Sequence, residues 1–208
     1  MKLLKKINKG VVLTIIVIVA LVIYLVGVEA KRSEEKPNIE RTAKEYIELI
    51  DRYAVLPEEY QQLSSKRKEE EAYELLDEAL SKQLDNFEEE LKKVMIDNKT
   101  AIELQKDSLD MILNSTNDLK DKVVTKYDRE IKKIKKYEFD DNQVTITFDS
   151  EINYETKYLE NRKAKTQKNS QKAEDESITL VYEDEMWKVV YANLRTDSNT
   201  NAGMFGIF

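Results

Sequence analysis

The 208 residues carry 34 basic and 41 acidic side chains, a formal net charge of −7, and neither cysteine nor histidine. Without cysteine there is no disulfide, thiolate metal ligand, lipid-modified cysteine or cysteine nucleophile. Without histidine the commonest general base, the Ser-His-Asp arrangement and the usual zinc and haem ligands are gone, so carboxylate chemistry alone stays open and no cofactor, metal site or catalytic set is expected.

Residues 1–10 form a short tail with Lys2, Lys5, Lys6 and Lys9, and residues 11–28 follow without a charge. As a helix, that run spans roughly 27 Å, close to a bilayer hydrocarbon core of about 30 Å. Mixed charges follow it at Glu29, Lys31, Arg32, Glu34 and Glu35. The positive-inside bias then places the N-terminus in the cytoplasm and residues 29–208 outside, as a single-pass protein of the cell membrane. A cleaved secretory signal is the alternative, because Val28 and Ala30 are small residues at a spacing that signal peptidase accepts. The run exceeds the about 7–15 apolar residues of an ordinary signal core, which favours an anchor.

Removing the four tail lysines leaves 30 basic against 41 acidic residues, a net of about −11 for the exported part. Nucleic-acid affinity is dominated by phosphate neutralisation with lysine and arginine, so direct nucleic-acid binding is not expected. Two prolines and four glycines are few, which argues for long helices.

Residues 29–37 read as a charged juxtamembrane linker, and residues 38–194 as one extracytoplasmic domain with a real core. Ile39, Ala43, Tyr46, Ile47, Ile50 and Tyr53 recur at steps of three and four, one face of a first helix. Leu56-Pro57-Glu58-Glu59 suits a new start, with proline in the first turn and acids complementing the dipole. A second helix is expected from Pro57 to about Met95, striped by Tyr60, Leu63, Ala72, Leu75, Leu76, Ala79, Leu80, Leu84, Phe87, Leu91 and Val94. Lys66-Arg67-Lys68-Glu69-Glu70-Glu71 reads as a solvated helical stretch within it. A third helix begins near Asn98 or Thr100 and carries Ile102, Leu109, Ile112, Leu119 and Val123, at a spacing open to a short coiled coil.

The pattern then changes. Val144, Ile146, Phe148, Ile152, Tyr154 and Tyr158 keep one parity, the period of a half-buried strand bent near Asp149 to Glu151. Before it, Tyr137-Glu138-Phe139 ends a strand and Asp140-Asp141-Asn142 turns. The start of that earlier strand stays open, because Tyr127, Ile131 and Ile134 also fit helical spacing. Residues 163–172 contain no large apolar side chain and are expected to be an exposed connection. Ile178, Leu180 and Tyr182 alternate, Glu183-Asp184-Glu185 turns, and Trp187, Val189 and Tyr191 close a last hairpin. Residues 195–208 form a C-terminal tail, polar as far as Ala202 and apolar over Met204, Phe205, Ile207 and Phe208, which either docks or frays.

One membrane helix, about three helices on one face of a curved sheet, and about four antiparallel strands make an α+β plan. This order resembles the cone-shaped fold of the nuclear-transport-factor-two superfamily. The ending Ile178-Thr179-Leu180-Val181-Tyr182-Glu183-Asp184-Glu185-Met186-Trp187-Lys188-Val189-Val190-Tyr191 looks like its closing hairpin. With the anchor included, the chain resembles the VirB-eight-type family, bitopic assembly factors of type IV secretion and conjugation systems, here of Gram-positive kind. The resemblance spans residues 1–194 in element order but only the last hairpin in local sequence, and the helical part, residues 39–123, is longer than the family's. It implies a non-catalytic scaffold that forms a homodimer or higher oligomer and recruits other channel components for DNA or protein transfer. No interface residue carries over, so the partner-binding residues are unknown.

Two other classes compete. In an enzyme, Asp140, Asp141, Asp149 or Glu151 would be the proton acceptor, although acids near strand ends are normally solvated turns. In an exported ligand- or envelope-polymer-binding module, Lys163, Lys165, Lys168 and Lys172 would touch an anionic polymer. Tyr154, Tyr158, Tyr182 and Tyr191 read as core residues before interface ones. Asn98-Lys99-Thr100 and Asn114-Ser115-Thr116 match the glycosylation pattern and read as helix-end and helix-surface polar residues.

Overall fold

The structure, a computed structural model, describes residues 9–194, with side chains from residue 14 onward. The expectations for residues 1–8 and 195–208 lie outside the described residues. The chain divides into two compact units, Met1–Glu40 and Arg41–Phe208, and the boundary falls within helix α1, Lys9–Tyr53.

In the first unit the charge-free run is helical, and its side chains from Ile15 to Val26 stand exposed. It is long and apolar enough to cross a membrane. The expected linker at residues 29–37 is also helical, and α1 continues through Pro37. Ala30, Lys31, Arg32, Glu34, Glu35 and Lys36 are strong helix formers, so local propensity there outweighs the missing N–H of one proline.

In the second unit Ala43, Tyr46, Ile47 and Ile50 are buried, as their spacing predicts. The expected second helix is shorter than its apolar stripe. Glu58–Tyr60 forms a single 3-10 turn, and α2 runs only over Glu69–Val94. Between Leu63 and Ala72 no apolar residue faces a core, and a helix without tertiary packing is marginal in water. The polar run 66–71 is therefore split. Lys68 becomes the N-cap residue, with its N–H donated to the Glu71 carboxylate at 3.3 Å, and Glu69, Glu70 and Glu71 complement the dipole. Arg67 is partly buried and donates to the Leu119 carbonyl, so it is not simply solvated. Helix α3, Lys99–Thr116, is capped by Asn98, whose side chain accepts from the Ala101 N–H at 3.1 Å. It ends before Leu119 and Val123, so the seam is too short for a coiled coil.

Four antiparallel strands follow: β1 Lys122–Asp140, β2 Gln143–Glu160, β3 Lys163–Glu183 and β4 Met186–Asn193, paired in the order β1-β2-β3-β4 as an open sheet. The ambiguous spacing of Tyr127, Ile131 and Ile134 has a physical cause. Register shifts fall between Ile131 and Lys133 and between Ile134 and Lys136, and each inserts one residue. A strand with such bulges advances its inward side chains by three instead of two, which imitates a helix. Ile131, Ile134 and Tyr137 thus pair opposite the buried Ser150, Phe148 and Ile146 on one face. Where a bend in β2 is expected, the β2–β3 pairing shifts register between Phe148 and Ser150, and the extra residue lies on β3, where Asp175 takes φ 57°.

Residues 163–172 are not a connection. They form the first half of β3, paired with β2 from Glu160↔Lys163 to Glu151↔Lys172. The loop is only Asn161 and Arg162, at φ of 51° and 64°; two left-handed residues suit the tight turn that matches strand twist. The side chains of residues 163–168 are exposed on both faces, so composition reported their solvation correctly while the backbone ladder decided their conformation.

Candidate functional site

Three charged residues from three elements meet in the interior. Asp51, in the last turn of α1, lies four residues after Ile47 and so on the apolar face. Arg129 shares the inward face of β1 with Tyr127, and Glu176 shares the parity of Ile178 and Leu180 on β3. The Arg129 and Glu176 side chains are 1% and 0% exposed, with Nη1 and Oε1 3.5 Å apart. Ser150 donates to Glu176 Oε2 at 2.5 Å. The Arg129 backbone N–H donates to Asp51 Oδ2 at 2.6 Å, and Arg129 Nη2 donates to the Tyr127 hydroxyl at 3.1 Å.

Burial pushes the Asp51 carboxyl up to about 6, against the Arg129 N–H and guanidinium, which favour its anion. Burial also raises the Tyr127 and Tyr46 phenols; the Tyr46 hydroxyl donates to Gln105 Oε1 at 2.7 Å. Arg129 keeps its charge, because Tyr127, Glu176 and Asp51 outweigh its desolvation.

A cavity of about 140 Å³ adjoins this cluster, lined by Ile50, Ala54, Leu109 and Ile112 beside Tyr127, Arg129 and residues 191–194. It is walled by both β1 and β4, which stand at opposite edges of the sheet, so the sheet curves around it. A second cavity of about 70 Å³ shares Ala54, Ile112, Ser115 and Tyr127 and reaches Tyr154. The walls suit a small apolar molecule with one hydrogen-bonding end.

The acids that composition singled out lie elsewhere. Asp140 and Asp141 are exposed at the β1–β2 turn. Asp149 and Glu151 accept from Lys135 at 2.6 Å and from Lys132 at 3.0 Å on the outward face. Those lysines pull both carboxyls below the usual carboxylate range. Among the described residues no group of three or more His, Cys, Asp or Glu is placed to hold a metal ion. Tyr154 and Tyr191 are half-buried against the cavities, Tyr158 is half-buried, and Tyr182 is exposed and packs at a tilt of 58° against Trp187, ring centroids 5.3 Å apart. Asn98 caps α3 and Asn114 donates to Asp110 on its surface.

Sequence reasoning missed Asp51, Arg129 and Glu176. The usable signal was a charge at an inward position: Asp51 on a helix face of apolar residues, and Glu176 at the parity of Ile178. Comparisons with protein-family models, with curated proteins and with solved structures give no match. The class therefore rests on the chain itself: an α+β protein with one apolar N-terminal helix of membrane-spanning length.

Proposed function

We propose that the protein is a single-pass, membrane-anchored scaffold of a type IV secretion or conjugation channel of the VirB-eight type. It acts by self-association and by recruiting channel components, without catalysis. The observation that carries this reading is the charge-free helical run with exposed apolar side chains, joined in one chain to an acidic α+β unit ending in the Trp187 hairpin. The lysines before the run favour a cytoplasmic N-terminus and an extracytoplasmic domain. Anchoring confines partners to two dimensions and raises their effective concentration, so individually weak contacts can assemble a complex.

In-cell crosslinking of the full-length protein, followed by membrane pull-down against a control lacking residues 33–208, tests this. Specific recovery of a secretion ATPase, a coupling protein or other channel proteins is expected. Recovery of the protein alone contradicts the scaffold. The cavity beside Arg129 and Tyr127 favours a second reading, an exported ligand-binding module, which predicts a ligand retained by the purified protein and no channel partner.

A further inference from the structure

The sheet leaves one long edge open. Strand β4 pairs β3 only over Ser177 to Glu183. From Lys163 to Glu176, β3 has β2 on one side and, among the described residues, no strand on the other. In an antiparallel strand every second residue turns its N–H and C=O away from the existing neighbour, so this edge offers a row of backbone donors and acceptors. By contrast, the outer edge of β4 is partly occupied, since the Ile96 N–H donates to the Val189 carbonyl at 3.0 Å.

Charge decides what the edge accepts. Lys163, Lys165, Lys168 and Lys172 lie in a stretch with no acid before Glu174, within a domain that is otherwise acidic. Lysines on an open edge block indiscriminate pairing. Antiparallel pairing with a second copy of the same stretch would set lysine-bearing strands against each other in any register, and like charges across strands destabilise a pair. The same lysines favour a strand of opposite charge. On the outward face Lys126, Glu155 and Lys168 stand in one row across β1, β2 and β3, with Lys168 Nζ 3.1 Å from Glu155. A depression of about 230 Å³ there is bounded by Lys126, Asn153, Glu155, Lys168 and Ser170; Lys168 pairs with Glu155 and Lys165 with Glu160 within the sheet, which leaves Lys163 and Lys172 as the lysines of the edge that an added acidic strand meets first. The stretch also has little strand propensity of its own, with Thr166 its one β-branched residue, so a second ladder adds support where the existing one stands alone.

We infer that the β3 edge from Lys163 to Ala173 binds an extended, acidic segment of a partner protein by strand addition. This stands on the edge and its charge, and does not depend on the membrane or channel reading. Main-chain bonds supply the affinity, and the lysines select the sign of the partner.

The test uses the full-length protein in nanodiscs and two blocked ten-residue peptides, one alternating Thr and Glu and one alternating Thr and Lys. Backbone amide exchange is read residue by residue. At about 1 mM the Thr–Glu peptide is expected to slow alternate amides between Lys163 and Ala173 by about tenfold, and the Thr–Lys peptide to slow none. Lys163 and Lys165 face one side of the sheet and Lys168 and Lys172 the other, so the quadruple change K163E/K165E/K168E/K172E abolishes that slowing in either facing of the peptide while exchange in β1 stays unchanged, which separates lost binding from lost folding. Three results overturn the inference: no slowing with the Thr–Glu peptide, equal slowing with both peptides, or edge-facing amides, those not bonded to β2, already protected without peptide. In the last case residues 195–208 or a second copy cover the edge.

Discussion

The two faces of the sheet carry the same kinds of charge and use them differently. Inward, Arg129 and Glu176 are sealed from water and bonded to Ser150, Tyr127 and the end of α1 through Asp51. Outward, Lys135 bridges Asp149 at 2.6 Å and Asp175 at 2.9 Å, and Lys132 reaches Glu151 at 3.0 Å, all in contact with solvent. The outward pairs are the shorter ones. Distance is thus a poor guide to weight, because burial sets what a broken pair leaves behind: a solvated ion outside, an uncompensated charge inside.

The sharpest way to break this comparison is to remove one inward partner. Glu176→Ala or Arg129→Ala should each cost about 3–5 kcal/mol in urea unfolding, while Arg129→Met combined with Glu176→Leu should recover most of the loss. If the double change costs as much as the sum of the singles, the cluster is not a coupled unit.

Asp51 gives the next largest effect, with a sign opposite to that of an ordinary salt-bridged acid. Its folded value is about 6 against an ordinary 3.8, so its stabilising contribution is fully present below about 3.8 and is lost as pH rises through about 6. Relative to Asp51→Asn, the native protein should gain up to about 3 kcal/mol of unfolding free energy between pH 7 and pH 4. A difference that stays flat with pH would show that Asp51 is not desolvated.

A smaller effect is expected at Gln83. Its buried side chain donates to the Tyr53 carbonyl, and to the Val55 carbonyl at 2.9 Å, holding acceptors at and beyond the end of α1. Gln83→Leu leaves them unpaired and should cost about 1–3 kcal/mol by thermal unfolding. Smallest of all, Lys132→Ala and Lys135→Ala should leave the urea midpoint unchanged within error, at low salt and at high salt alike.

Much of the fold was legible because burial is periodic. The start of α3 near Asn98, the β1–β2 turn, the alternation along β2 and the final hairpin all followed from spacing and turn chemistry. What was not legible has three causes. Bulges in β1 made a strand look like a helix at Tyr127, Ile131 and Ile134. Side chains do not report a ladder made by the backbone, so residues 163–172 read as a loop while forming a strand. Helix length between Leu63 and Ala72 was set by the lack of a packing surface, which no local propensity records. The buried cluster escaped because charges at apolar positions were passed over, although an ion on an inward face needs a partner in the core.

The central claim, a retained anchor with the folded unit outside the cell, is tested most directly by thiol labelling, for which the cysteine-free chain is a clean background. Ser65 is exposed between the 3-10 turn and α2, so Ser65→Cys is treated in intact cells with a membrane-impermeant maleimide and the cells are then fractionated. Labelling before lysis, on protein of full mass in the membrane fraction, is the predicted result. Labelled protein shortened by the N-terminal segment and released to the medium, or labelling only after lysis, would contradict it.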